Sequence, residues 1–163
     1  MITLFQTNRC CISTIQKCDY VDVKKLYQNQ EVRKYLGGIR DEGSIGVVIE
    51  EMLHSNEPSY YWVVKEQVTR EFMGLVSLDQ HHNRVDFEVS YQILPKYWGN
   101  GFATEVVQFM IDYAFNELKL TRVIAETQTA NNSSCRLLER VGMKLEKIVT
   151  RFGAEQAIFS IEV

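Results

Sequence analysis

The stretch Pro95-Lys96-Tyr97-Trp98-Gly99-Asn100-Gly101-Phe102-Ala103-Thr104-Glu105 decides how this chain is read. Before it, Arg84–Leu94 sets Val85, Phe87, Val89, Tyr91 and Ile93 against Asp86, Glu88, Ser90 and Gln92, the alternation of a β-strand. After it, Val106, Phe109, Met110, Tyr113 and Ala114 recur at helical spacing as far as Leu118. Glycines at such a strand-to-helix junction leave successive amides unpaired at the positive end of a helix, where an anion can approach the backbone. The stretch lacks the Gly-Lys-Ser/Thr of a P-loop, and Thr104 stands where G-x-G-x-x-G needs its third glycine. On its own it fits a phosphate cradle and an ordinary turn equally well.

Outward from this junction the periodicity is mixed. Thr7–Ile15 is strand-like, and a helix capped by Asp19 or Asp22 presents Val23, Leu26 and Tyr27 on one face. A short helical pattern through Val32, Tyr35 and Leu36 stops at Gly37-Gly38, and another helix begins at Ser44 and ends before Pro58. Strands Tyr60–Lys65 and Glu71–Leu78 flank a turn at Gln67–Arg70, and Asp79–Asn83 turns the chain into Arg84–Leu94. Downstream come strand Arg122–Thr127, helix Asn132–Val141 with Gly142 as its C-terminal stop, and a hairpin, Met143–Phe152 and Ala154–Glu162, turning at Gly153. Helices, then a meander, then a helix crossing to a further strand describe a mixed α/β sheet.

Composition narrows the function. With 163 residues, 18 Lys+Arg and 21 Asp+Glu, the chain is sized for one domain, residues 1–163, with net charge −3. That balance argues against nucleic acid or an anionic membrane as main partner, since both demand a basic footprint. No apolar run approaches the ~18 residues of a membrane helix, and Met1–Gln6 lacks a secretory pattern, so a cytoplasmic setting is expected. Cys10, Cys11, Cys18 and Cys135 form no C-x-x-C pair and are expected as buried, reduced thiols, with no metal site. His81 and His82, beside Asn83 in a hairpin turn, are expected to be solvated.

A second stretch, Asn131-Asn132-Ser133-Ser134-Cys135-Arg136-Leu137-Leu138-Glu139-Arg140-Val141-Gly142-Met143, is a capped amphipathic helix whose start falls at the sheet edge near the glycine loop. Together the two stretches resemble the cofactor motifs of the GNAT superfamily of acetyl-CoA-dependent N-acyltransferases. The family's Gln/Arg-x-x-Gly-x-Gly/Ala is met by Lys96 to Gly101, with Lys96 at the first position, and Phe102-Ala103-Thr104-Glu105 resembles its Tyr-Ala-Thr-Glu. Asn131, Ser134, Arg136, Glu139, Arg140, Gly142 and Met143 follow its second motif. Glu88–Ile93, Pro95 and Trp98, with Val32–Gly37, resemble the subgroup containing ribosomal-protein N-terminal acetyltransferases.

The resemblance implies a mostly antiparallel sheet of six to seven strands, helices on both faces, and a V-shaped splay between two central parallel strands, Phe87–Ile93 and Arg122–Thr127. It implies that amides from Trp98 to Ala103, with Lys96 and Thr104 alongside, hold the acetyl-CoA pyrophosphate. Val89, Tyr91, Ile93, Asn131 and Arg136 would line the rest of the cofactor, and Ser134 would sit at the thioester sulfur. Leu138 stands where many members carry a thiolate-protonating tyrosine, which leaves that role to Ser134 or water and admits a catalytically silent acyl-CoA-binding module as an alternative. Glu88 is the candidate general base, because the polar face of a central strand would line a wet acceptor cleft unless it is simply solvated. A backbone amide near Val89-Ser90 would meet the acyl oxygen. The implied partners are acetyl-CoA and an amine acceptor, either a protein N-terminus or a small polyamine, amino acid or antibiotic. The chain is expected as a monomer or homodimer.

Overall fold

The computed structural model describes residues 4–56 and 58–163. Its eight strands are β1 (Leu4–Gln6), β2 (Cys10–Thr14), β3 (Tyr60–Glu66), β4 (Phe72–Gln80), β5 (Phe87–Ile93), β6 (Arg122–Gln128), β7 (Lys144–Arg151) and β8 (Ala154–Glu162). They form one sheet in the order β1-β2-β3-β4-β5-β6-β8-β7. Every neighbouring pair is antiparallel except β5 and β6, which are parallel. The helices are α1 (Tyr20–Tyr27), α2 (Gln30–Arg33), α3 (Glu42–Leu53), α4 (Phe102–Asn116) and α5 (Asn132–Arg140).

Helices cover both faces of the sheet. Under α4 and α5 lie Val106, Val107, Met110, Leu137 and Leu138, packed on Val89, Ile93, Val123 and Phe159. On the other face Val23, Leu26, Ile45 and Ile49 pack on Val63 and Leu75. Caps place the helix starts: Asn29 accepts from Val32 N, and Asp41 accepts from Ser44 N. No helix among the described residues is long and apolar enough to cross a membrane.

The parallel pair is a fork. Only Phe87↔Val123 and Glu88↔Ile124 are in register. Beyond them β5 stays paired to β4 as far as Ile93↔Gly74, and β6 to β8 as far as Gln128↔Gln156. The two strands therefore part after Glu88, each held by its outer neighbour.

Three expectations need correction. The sheet has eight strands because a further strand, Leu4–Gln6, precedes the strand-like stretch Thr7–Ile15, which is itself strand only over Cys10–Thr14. Thr7 N donates to Cys10 O and Cys10 N to Thr7 Oγ1, closing a turn where continuous strand was expected. Strand β5 begins at Phe87 rather than Arg84. The Asn83 side chain accepts from the amides of Val85 and Asp86, Arg84 takes a left-handed φ of 60°, and Val85 is 78% exposed instead of lying on the apolar face. Cys18 is exposed rather than buried, whereas Cys10 and Cys11 are buried on opposite faces as their adjacency requires.

Candidate active site

The Lys96–Glu105 stretch leaves β5 through a single 3-10 turn, Pro95–Tyr97, and enters α4. Gly99 and Gly101 have φ of 77° and 80°, the left-handed region that glycine tolerates. Among the described residues, nothing accepts from the consecutive amides of Gly99, Asn100, Gly101, Phe102, Ala103 and Thr104. A Cβ at Gly99 would meet nothing within 4 Å, and one at Gly101 only the Arg9 guanidinium. Open space, unmet donors and the positive end of a 15-residue helix fit a pyrophosphate.

The cradle differs in detail from its expected membership. The Trp98 amide donates to Pro95 O, and its indole Nε1 donates to Ile93 O at 2.8 Å, so this residue shapes the turn. Lys96 Nζ lies 3.1 Å from Glu71, beyond the ends of β4 and β5. Thr104 Oγ1 accepts from Arg140 of α5 at 3.4 Å, whereas Arg136 is exposed. Arg9, absent from the sequence reading, bonds Asn100 O and Glu105 and lies 4.1 Å over the Phe102 ring. No local pattern links positions so far apart.

At the start of α5, Asn131 Oδ1 accepts from Ser134 N at 3.2 Å, which makes Asn131 the cap. Ser134 is 9% exposed, and its hydroxyl is hydrogen-bonded to the Tyr91 hydroxyl of β5. Burial pushes the Tyr91 phenol up to about 12 against the opposing effect of the Ser134 bond. Leu138 is fully packed in the core. A phenol on the neighbouring strand thus stands next to Ser134.

Glu88 faces the opposite side of the sheet, at the base of the fork. Its cross-strand partner Asp79 is held by Ser59 Oγ and Tyr61 Oη at 2.6 Å each. Glu126 of β6 is held by Arg151 at 2.8 and 3.2 Å and by His81 Nε2 at 2.6 Å. His81 Nδ1 lies 3.2 Å from the Asn83 amide, with Nε2 turned to Glu126. His81 is only 3% exposed, a correction to the solvated histidine expected from its turn. Glu88 receives no side-chain donor among the described residues. Burial pushes its carboxyl up to about 7. The Glu126 charge acts in the same direction, and His81 and Arg151 oppose it.

The segment after α2 bridges both arms of the fork. Arg33 Nη1 donates to Gln92 of β5, its other nitrogens hold the carbonyls of Leu36 and Gly38, and Gln128 of β6 donates to Tyr35 O. A cavity of about 230 Å³ opens beside His81, Ile124 and Arg151.

Residues 9–144 match the acetyltransferase (GNAT) domain family. The chain is 29% identical over 160 residues to the uncharacterized N-acetyltransferase YoaA of Bacillus subtilis, covering 93% of this chain and 89% of that protein. A spermidine N-acetyltransferase from Vibrio cholerae, solved in complex with CoA and spermine, superposes with a TM-score of 0.80 at 18% identity over 96% of both chains. A ribosomal-protein-S5-alanine acetyltransferase from Vibrio fischeri gives 0.79 at 18% identity, covering 98% of this chain and 96% of that one. The chain belongs to the GNAT family, and it is an acetyltransferase.

Proposed function

We propose that the chain, acting as one catalytic unit, acetylates a primary amine presented on the Glu88 face of the sheet, and that this amine is the N-terminal α-amine of a protein. The observation that carries the reading is the fork: a part-buried carboxyl without a side-chain donor among the described residues stands where β5 and β6 separate. Acetyl-CoA supplies the activated acyl group. The amides of Gly99 to Thr104 bind its pyrophosphate, and the gap between β5 and β6 admits its pantetheine arm, lined by Val89, Tyr91 and Ile93 with Asn131 at its edge. Glu88 takes the proton of the incoming amine. A backbone N–H near Val89-Ser90 donates to the acyl oxygen as charge builds there. Ser134, backed by Tyr91, donates to the sulfur.

The basicity of Glu88 favours an α-amine. A carboxyl near 7 lies within about one unit of an N-terminal amine, at ~7.7–8.0, but more than three below an alkyl ammonium at ~10.4. The similarity of Glu88–Ile93 and Val32–Gly37 to the ribosomal-protein subgroup supports the same acceptor. A small polyamine is the second reading, favoured by the carboxylates Asp79, Glu88 and Glu126 on one face of β4, β5 and β6, which suit a cation. The test is CoA thiol release against a panel of Ser- and Ala-starting peptides, spermidine and free amino acids. Release with the peptides supports the reading, release with spermidine alone replaces it by the second, and release with no amine overturns both.

A further inference from the structure

We propose that Arg9 is a positioning residue for CoA, holding the glycine loop in shape and cancelling the charge of Glu105 so that the first turn of α4 can receive a polyanion. The inference rests on reading Gly99–Thr104 as the phosphate loop.

A carboxylate in the first turn of a helix is ordinarily favourable, since it faces the positive end of the dipole. Here the same end must accept phosphates, and Glu105 would repel them. The β1–β2 turn removes the conflict. Arg9 Nε lies 2.8 Å from Glu105 Oε1, while the Arg9 amide at 2.8 Å and Thr7 Oγ1 at 2.5 Å donate to Oε2. Partial burial alone would raise the Glu105 carboxyl, but these donors hold it below the usual carboxylate range. The carboxylate is therefore ionised, and its charge is matched by one guanidinium.

The same guanidinium reaches the loop. Nη1 donates to Asn100 O at 2.9 Å, the plane lies 4.1 Å over Phe102, and Nη2 is 3.4 Å from where a Gly101 Cβ would be. In a trans peptide the carbonyl and the following N–H point to opposite sides. By fixing the Asn100 carbonyl, Arg9 fixes the direction in which the Gly101 amide is offered. In a chain of net charge −3, this local neutralisation does what a basic surface does elsewhere.

The experiment is calorimetric titration of CoA into the purified protein and into Arg9→Gln, Glu105→Gln, the double variant and Gly101→Val, with thermal melts of each. Arg9→Gln is expected to weaken CoA binding by about tenfold or more. Glu105→Gln is expected to leave it unchanged or tighter, and the double variant to return to within about threefold of the native chain. Breaking the ion pair at Glu105 thus does not reproduce the loss caused by breaking it at Arg9. A strap with no electrostatic part would weaken binding from both ends alike, and that result, or native binding by Arg9→Gln, overturns the proposal. Should Arg9→Gln not fold, Glu105→Gln decides: native or tighter binding upholds the proposal and weaker binding overturns it. Native CoA binding by Gly101→Val would instead remove the phosphate-loop reading itself.

Discussion

The Glu126 side chain is locked between Arg151 at 2.8 Å and His81 at 2.6 Å, and its charge raises the neighbouring Glu88 carboxyl. One residue therefore helps set the field around the candidate base. As the proposed base, Glu88 would act only when ionised, so activity is expected to rise with pH and level off above about 7. Arg151→Met removes a cation that favours the charged form, so its profile moves to higher pH. Glu126→Gln removes an anion and moves the profile lower. The measurement is kcat/KM from pH 5.5 to 9, and profiles that coincide in all three proteins would separate Glu88 from the chemistry.

Stability should carry the same signature. The Glu88 carboxyl is raised in the folded state from 4.5 to about 7, so the folded chain favours the protonated form. Its contribution is fully present below the unfolded value and is lost as pH rises through about 7. Glu88→Gln lacks this dependence. Urea unfolding at pH 5 and pH 8 is expected to show the variant gaining on the native chain by roughly 2–3 kcal/mol over that interval. Parallel changes in the two proteins would mean that Glu88 is solvated.

Why some of this was legible in the sequence and some was not follows from the range of the interactions. The glycine loop, the long α4 pattern and the alternation of β5 from Phe87 onward are local, and each lies where the sequence placed it. The left-handed φ of Gly99 and Gly101 follows from having glycine in a strand-to-helix turn. His81 looked solvated because its turn is polar. Its burial comes from Glu126, 45 residues away, whose carboxylate needs a donor. Arg9 looked like a strand residue, yet its partners Asn100 and Glu105 lie more than 90 positions on. The β5 start was misplaced by a side chain, since Asn83 takes two amides that a strand would have paired.

The Tyr91–Ser134 pair makes a kinetic prediction. If the two hydroxyls serve the departing sulfur, Ser134→Ala lowers kcat by about 10- to 100-fold and Tyr91→Phe by less, with CoA affinity within about twofold of native. A purely structural pair would lower thermal stability and leave kcat intact. Single-turnover rates with direct CoA titration separate the two cases.

Two glycines outside the loop give opposite expectations from the same substitution. A Cβ at Gly74 would fall 2.2 Å from Gln92 O and 2.7 Å from Ile93 Cδ1, so backbone must move. Gly74 pairs with Ile93 at the end of β5, one residue from the Met73 carbonyl that holds Leu94 N. Gln92 in turn holds Arg33 and the segment above the fork. Gly74→Ala is expected to destabilise the chain by about 3 kcal/mol and to weaken CoA binding, because the strand that delivers Pro95 and the loop is displaced. Gly46 lies inside α3, where a Cβ meets only the Tyr20 hydroxyl at 3.5 Å, an ordinary contact. Gly46→Ala is expected to stabilise by about 0.5–1 kcal/mol through helix propensity and a less flexible unfolded chain, with CoA affinity unchanged. Urea unfolding and CoA titration of both variants check this. A Gly74→Ala protein as stable as the native chain would mean that β4 and β5 do not approach this closely at the mouth of the fork.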